Sequence, residues 1–210
     1  MSVSAAIETD AGTRRDRPLI HPRWVRITHW INAVAMVVMI MSGWQICNAS
    51  PLFEFDFPRG ITLGGWLAGA LLWHFAAMWV LAINGLIYLA LGIAGGRFRR
   101  KLIPIRVGDV FGTVREALTL RLSHDDLTRY NAVQKLMYIV VILAGVVVVL
   151  SGLSIWKPVQ LSWLTALFGG YDAARYVHFF AMATIVGFLV VHVLLALLVP
   201  KSLRAMITGR

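Results

Sequence analysis

The sequence predicts an all-α integral membrane protein: a bundle of four transmembrane helices with short interfacial helices and with both termini in the cytoplasm. Hydrophobic residues make up 59% of the chain and the mean hydropathy is +0.73, whereas soluble domains contain about 45–50% apolar residues. The excess lies in four apolar segments, each long enough for the roughly 20 residues that cross a bilayer. The distribution of basic residues among the connecting loops predicts the orientation.

The four apolar segments lie at about residues 27–47, 63–94, 133–156 and 173–199. As a helix, the second segment would be about 48 Å long at 1.5 Å per residue, so it must tilt or extend beyond the hydrocarbon core. Residues 1–20 are polar and are expected to form a mobile cytoplasmic tail. Residues 21–205 are then the four-helix membrane domain.

Two connections are predicted to contain short interfacial helices. In the connection 95–132, apolar residues recur at helical spacing among charged ones, namely Val107, Val110, Phe111, Val114 and Leu118. This pattern favours an amphipathic helix on the inner membrane surface, with a docking face for a partner subunit as the alternative. In the second outer loop, Leu161–Phe168 is expected to form the other short helix.

The net charge of +10 is explained by membrane topology, so we expect no nucleic-acid binding. Of the 20 basic residues, 17 lie on one side: 16 lie before the first apolar segment, between the second and third, or after the fourth, and Lys135 lies at the entry of the third. Cytoplasmic loops carry such an excess of Lys and Arg. Both termini are therefore predicted to be cytoplasmic.

Cysteine chemistry is limited to one residue, Cys47. An intrachain disulfide is excluded, and the absence of a Cys-x-x-Cys-His motif excludes a covalently attached haem of c type. The first apolar segment is too long for a typical signal peptide and carries His29, so we expect it to be retained.

Four histidines lie within the apolar segments: His29, His74, His178 and His192. An imidazole at membrane depth is costly unless a metal, a proton path or a partner compensates it. Under the predicted topology, His29 and His192 lie in the inner half of the bilayer, and His74 and His178 lie in the outer half. Because His178 and His192 are 14 residues apart, they differ by about 40° in direction and about 21 Å in height on one helix.

These separations suit two flat macrocycles stacked across one bilayer, each held by two imidazoles. They do not suit a single metal ion bound by all four imidazoles. We therefore expect the pair His29 and His192 to ligate the iron of an inner haem, and the pair His74 and His178 to ligate the iron of an outer haem. Two neutral imidazoles leave the iron without an open position, which is typical of an electron carrier.

The same 14-residue step places other residues in two layers. The outer layer contains Gly43 and Gly152 beside its histidines, and the inner layer contains Tyr88 and Tyr138. Glycine lets a bulky ring approach the backbone, although ordinary close helix packing also uses small residues. The tyrosines are better explained as interfacial anchors.

Two arginines are candidates for binding haem propionates. Arg175 precedes His178 by three residues and Arg26 precedes His29 by three residues, so each shares a helix face with its histidine. For Arg26 the alternative is a charge that only sets the topology. The remaining histidines, His21 and His124, fall outside the apolar segments and are not expected to be ligands.

A short internal repeat also appears. Ser42-Gly43 ends the first apolar segment and Ser151-Gly152 ends the third, and each is followed by an outer loop and a histidine-bearing segment. The repeat suggests two helical hairpins of common ancestry, although matches of this length also arise by chance.

The segment Arg26-Ile27-Thr28-His29-Trp30-Ile31-Asn32-Ala33 resembles the opening of the bacterial cytochrome b561 family, which includes cytochrome b subunits of nickel-iron hydrogenase and formate dehydrogenase. The spacing of His178 and His192 and the single His74 of the second segment match as well. The motifs Ser42-Gly43-Trp44, Trp73-His74-Phe75, Ser154-Ile155-Trp156-Lys157-Pro158 and Val177-His178-Phe179-Phe180 resemble the thiosulfate-reductase type.

The resemblance implies two haem b groups with the pairing given above, a bacterial inner-membrane location, and quinone exchange near the cytoplasmic haem. Trp30, Tyr88 and Tyr138 are then candidate quinone neighbours. Subunits of the thiosulfate-reductase type often accompany a sulfite-oxidase-like molybdenum protein. The resemblance therefore implies a periplasmic molybdenum oxidoreductase as redox partner, docked on the outer loops 48–62 and 154–172, and leaves a homodimer open.

Two other functions remain open at this point. One is a stand-alone superoxide:quinone oxidoreductase, in which Arg175 and Lys157 attract the anion. The other is a proton or metal-ion transporter that uses the histidines as relay groups.

Overall fold

The computed structural model describes residues 22–95, 132–198 and 200–209, and within them all the regular structure is helical. Four helices are long: α1 (Arg23–Ala49), α2 (Leu67–Ala94), α3 (Ala132–Trp156) and α5 (Tyr171–Leu198). Two are short: α4 (Ser162–Leu167) and α6 (Pro200–Thr208). A single 3₁₀ turn, Arg59–Ile61, lies in the loop between α1 and α2.

The four long helices confirm the predicted membrane spans. Each contains a stretch that is long and apolar enough to cross a bilayer, and most of the large apolar side chains of these helices are exposed. Exposed leucine, isoleucine and tryptophan on all four helices are expected where lipid covers the surface. The short helix α4 likewise confirms the predicted helix at 161–168.

The predicted start of the second span at residue 63 is wrong by four residues. Gly64 and Gly65 have φ angles of 111° and 71°, a left-handed conformation that ends a right-handed helix and that glycine adopts without a steric penalty. The amide of Leu63 instead donates to the carbonyl oxygen of Met41 on α1 (3.0 Å). The helix α2 consequently begins at Leu67 and is about 42 Å long at 1.5 Å per residue.

Small side chains bring the helices together in two antiparallel pairs, α1 with α2 and α3 with α5. The buried residues at these contacts are Ala35, Ser42, Ala70, Ala77, Ala144, Ser151, Ala174 and Ala181. Helices in a bilayer associate through close packing of small residues, because burying apolar surface gains little when lipid is equally apolar. Each pair is therefore a helical hairpin with its own close contact.

Between the two hairpins, the described helices show little close backbone packing. Long side chains make the contact instead. Phe75 of α2 lies against Trp156 of α3 (ring centroids 5.2 Å), and histidines of α1 and α2 approach histidines of α5. A gap that contains imidazole rings thus separates the two hairpins.

The loop between α1 and α2 closes one end of this gap, which we call the outer end according to the predicted topology. Asn48 and Phe57 are joined by two hydrogen bonds of 2.8 Å, in which the Asn48 side chain donates to the Phe57 carbonyl and accepts from its amide. Phe53 contacts the rings of Tyr176 and Phe179 on α5. The loop of the first hairpin therefore packs on the second hairpin.

The helix α6 lies beside the start of α1 at the opposite, inner end. Arg26 Nη1 donates to the carbonyl oxygen of Ile207 (2.5 Å), and Trp30 Nε1 donates to that of Met206 (3.4 Å). The predicted tail 1–20, the amphipathic helix within 95–132, and His21 and His124 all lie outside the described residues.

Candidate functional site

The structure brings the four membrane histidines together in two pairs. The rings of His29 on α1 and His192 on α5 have centroids 6.2 Å apart, and those of His74 on α2 and His178 on α5 have centroids 6.5 Å apart. The two pairs lie one above the other along α5. These are the pairs that the predicted topology placed at equal depth.

Both separations match the spacing of two imidazoles on opposite sides of one metal ion. A metal–imidazole bond is about 2 Å long and the ring centroid lies about 1 Å beyond the nitrogen, so the two centroids should be about 6 Å apart. Within the part of the chain that the structure describes, no group of three or more His, Cys, Asp or Glu side chains is placed to hold a metal ion. Two imidazoles per site are sufficient only where the cofactor supplies the other ligands, as the porphyrin of haem does.

The outer pair is held by hydrogen bonds from the facing helix of the same hairpin. The hydroxyl of Ser42 lies 3.0 Å from Nδ1 of His74. Ser42 donates its proton to the carbonyl oxygen of Val38 (2.6 Å), so its oxygen must accept the proton of His74 Nδ1. The Nε2 atom of His74 then keeps its lone pair.

The second hairpin repeats this arrangement. The hydroxyl of Ser151 lies 3.2 Å from Nδ1 of His178 and donates to the carbonyl of Val147 (2.6 Å). The carbonyl oxygen of Val148, which can only accept, lies 3.0 Å from the same Nδ1. His178 therefore carries its proton on Nδ1 as well, and both outer imidazoles have the tautomer that presents Nε2 to a metal.

The two glycines of the predicted outer layer lie directly beside these imidazoles. A Cβ atom on Gly152 would lie 3.1 Å from Cε1 of His178, and one on Gly43 would lie 3.6 Å from Cε1 of His74. The missing side chain of Gly152 lets the His178 imidazole approach the backbone of α3 closely, whereas a Cβ atom at Gly43 would make an ordinary van der Waals contact with His74.

The inner pair is surrounded by aromatic and polar groups. His29 contacts the ring of Trp30 edge-on (5.6 Å), and His192 stacks on Phe188 (5.8 Å, interplanar angle 15°). Next to His29, the buried amide of Asn84 on α2 donates to the carbonyl of Thr28 (2.8 Å) and to Asn32 Oδ1 (2.6 Å). This buried polar cluster joins α1 to α2 at the level of the inner pair.

The two candidate propionate arginines both make other contacts. Arg175 Nη2 donates to the carbonyl (2.6 Å) and hydroxyl (2.9 Å) of Ser50, and Nη1 lies 3.9 Å from Asp172. Arg26 donates through Nη1 to Ile207, while its buried Nε has no hydrogen-bond partner among the described residues. Arg26 thus retains a donor for a further acceptor.

Among the candidate quinone neighbours, Trp30 lines two adjoining cavities. The first, of about 430 Å³, is also lined by Arg23, Arg26 and Met206. The second, of about 500 Å³, is an apolar groove between α1 and α2 that includes Trp73. Tyr88 contacts the ring of Trp24 (5.5 Å), and the side chain of Tyr138 is not among those described.

Sequence reasoning missed Ser42 and Ser151 as neighbours of the outer histidines. The available signal was the repeated Ser-Gly dipeptide at the end of the first and third apolar segments. In both hairpins the serine bonds the imidazole and the glycine lies beside it, and at Gly152 the missing side chain also makes room for the ring.

Comparison with known proteins identifies the family of this chain. The chain is 53% identical over 190 residues to the putative protein-methionine-sulfoxide reductase subunit YedZ1 of Azospira oryzae, covering 90% of this chain and 96% of that protein. It is 27% identical over 194 residues to the probable Ni/Fe-hydrogenase B-type cytochrome subunit of Cupriavidus necator (82% and 76% covered), and 24% identical over 217 residues to that of Azotobacter vinelandii (93% and 88%). The model of the prokaryotic cytochrome b561 family matches residues 20–209. The protein therefore belongs to the prokaryotic cytochrome b561 family, whose members are membrane b-type cytochromes of electron transport.

Proposed function

We propose that this protein is a di-haem cytochrome b that relays electrons between the quinone pool and a redox subunit on the outer side of the bacterial inner membrane. The observation that carries the proposal is the spacing of the two histidine pairs, each of which would suit two imidazoles that hold one haem. Haem b held by two histidines would supply one-electron transfer at each site.

The residues of this chain supply the binding and orientation of the two groups. His29 and His192 would hold the inner haem b, and His74 and His178 the outer one. The outer imidazoles are already oriented by hydrogen bonds at Nδ1, so they lose little freedom when they bind a metal. The sites are about 21 Å apart along α5, because 14 residues at 1.5 Å each separate their ligands.

Quinone exchange is proposed at the inner end, beside Trp30. The Trp30 ring touches His29, and the cavity beside it is lined by Arg23 and Arg26, whose guanidinium groups could donate to a quinone oxygen. The adjoining apolar groove is suited to an isoprenoid chain. A haem propionate is the alternative acceptor for Arg26.

The redox partner is proposed to be a periplasmic oxidoreductase that reduces protein methionine sulfoxide. The name of the 53% identical relative describes such a subunit, and the resemblance to thiosulfate-reductase-type cytochromes favours a molybdenum enzyme. Docking would use the two outer loops, where Phe55, Val159 and Trp163 are exposed. This assignment requires both termini to lie in the cytoplasm, as the charge distribution predicts.

Partner-free oxidation of superoxide is less well supported. Arg175 is occupied by Ser50 and Asp172, and the Lys157 ammonium lies over the ring of Trp156 at 4.9 Å. Both cations therefore have local partners that compete with a small anion. The two functions are separated by the same experiment that tests the proposal.

Electron transfer is tested with the purified protein in vesicles by following the visible bands of reduced haem. When a quinol is mixed with the vesicles, we expect both haems to be reduced on the time scale of one turnover. Protein methionine sulfoxide should then reoxidise them only when a periplasmic methionine-sulfoxide reductase is also present. Haem that stays oxidised with quinol contradicts the proposal, and rapid reduction by superoxide with quinone as acceptor and no partner favours the stand-alone enzyme.

A further inference from the structure

We propose that Ser42 and Ser151 are positioning residues for the outer haem. Each accepts the Nδ1 proton of an outer histidine, so the two together fix the tautomer of the ligands. They also raise the electron-donating strength of these ligands and lower the reduction potential of that haem. The inference rests on the proposed function, because it assumes that His74 and His178 ligate the outer iron. It assigns a role to the Ser-Gly repeat that the family match leaves unexplained.

The direction of each hydrogen bond follows from counting protons. Ser42 and Ser151 are completely buried, and each has one hydroxyl proton. That proton is donated to the carbonyl four residues earlier, at 2.6 Å in both helices. The oxygen is left as an acceptor at 3.0 Å from His74 Nδ1 and at 3.2 Å from His178 Nδ1.

A backbone carbonyl supports the serine in both hairpins. The carbonyl three residues before each serine lies within reach of its hydroxyl, 3.1 Å for Met39 and 3.3 Å for Val148. Val148 also accepts from His178 Nδ1 (3.0 Å), so the two environments are similar. The glycine that follows each serine lies beside the imidazole, and Gly152 leaves space that a Cβ atom would take from His178.

The chemical consequence follows from the acceptor strength at Nδ1. An acceptor on one ring nitrogen raises the basicity of the other nitrogen, which strengthens its bond to a metal. A stronger donor stabilises the oxidised iron more than the reduced iron, so the potential falls. Loss of a group that accepts a hydrogen bond from a metal ligand typically weakens metal binding about 10- to 100-fold.

Both serines contact the outer pair, so their effect should be confined to one haem. This gives the protein an internal reference, since the inner haem is measured in the same sample. Ser154 provides a matched control on α3: it is also completely buried, but its hydroxyl bonds Thr165 Oγ1 (3.2 Å) rather than a histidine.

The test compares Ser42→Ala, Ser151→Ala and the double variant with Ser154→Ala in the full-length, haem-loaded protein. Potentials are measured by optical redox titration, and outer-haem affinity by transfer to excess apomyoglobin. We expect the outer potential to rise in both single variants and further in the double variant. The dissociation constant of the outer haem should rise about 10- to 100-fold in these variants. The inner haem should stay unchanged, and so should both haems of the Ser154→Ala protein.

Each outcome decides the inference. Loss of the outer haem alone supports it, because the imidazoles are then no longer held for the iron. Ser42→Thr and Ser151→Thr keep the acceptor oxygen and should return the outer potential to that of the parent protein. Loss of both haems, equal shifts of both potentials, or an unchanged outer haem in the double variant contradicts it. A parent protein that binds no haem instead contradicts the proposed function.

Discussion

His178→Ala is expected to remove one of two haems and to leave the other with unchanged spectrum and potential. His178 is paired with His74 across the gap, while His192, about 21 Å away on the same helix, is paired with His29. Alanine leaves the outer iron with one protein ligand, and the inner pair is untouched. His74→Ala should have the same result, and His29→Ala or His192→Ala should remove only the inner haem.

The measurement is the haem-to-protein ratio together with the reduced-minus-oxidised spectrum of each purified variant. His124→Ala is the control, because this residue lies outside the apolar segments and should leave both haems in place. Swapped losses, such as an inner haem lost with His74→Ala, contradict the pairing. Loss of both haems from all four variants means that the sites do not fill independently.

The second large effect is expected for Gly152→Val. Even a Cβ atom at this position would lie 3.1 Å from Cε1 and 3.4 Å from Nδ1 of His178, and valine adds two further methyl groups. The imidazole must then move away from Ser151 and Val148, which hold its Nδ1 proton. We expect the outer haem to be lost or to bind about 10- to 100-fold more weakly, as when a supporting partner of a metal ligand is removed.

Two matched substitutions sharpen this test. Gly187→Val on α5 should change neither haem, since among the described residues no atom beyond its own helical turn lies within 4 Å of a Cβ at that position. Gly43→Ala should be milder than Gly152→Ala, because its added carbon would lie 3.6 Å from the His74 ring, an ordinary van der Waals distance. Haem transfer to apomyoglobin ranks the variants, and an outer haem that binds equally well in Gly152→Val and Gly187→Val refutes the packing role.

Much of the fold was accessible from the sequence because the membrane imposes simple constraints. Long apolar segments must be helical there, since no water satisfies their backbone groups. The start of α2 was not accessible, because Leu63 is as apolar as a span residue. Its amide bonds Met41 on another helix, and Gly64 adopts a left-handed turn, both of which are tertiary features.

Part of the candidate site could also be predicted from the sequence, and part could not. The pairing of His29 with His192 and of His74 with His178 was predictable, because topology sets depth and helical periodicity sets the face. The role of Ser42 was not predicted, since a serine within a helix usually bonds only its own backbone. Arg175 lies against Ser50, a contact that the sequence pattern does not specify, and its role at a haem propionate stays a prediction.

The central claim, that two imidazole pairs each hold one haem b, is tested most directly by the number and spin state of the haems in the purified wild-type protein. Haem is quantified per chain by the pyridine haemochrome method against a protein concentration from amino-acid analysis, and the spin state is read from the optical spectrum. The account predicts two low-spin haems per chain with two separable potentials. One haem per chain, none, or a high-spin iron with an open position would contradict it.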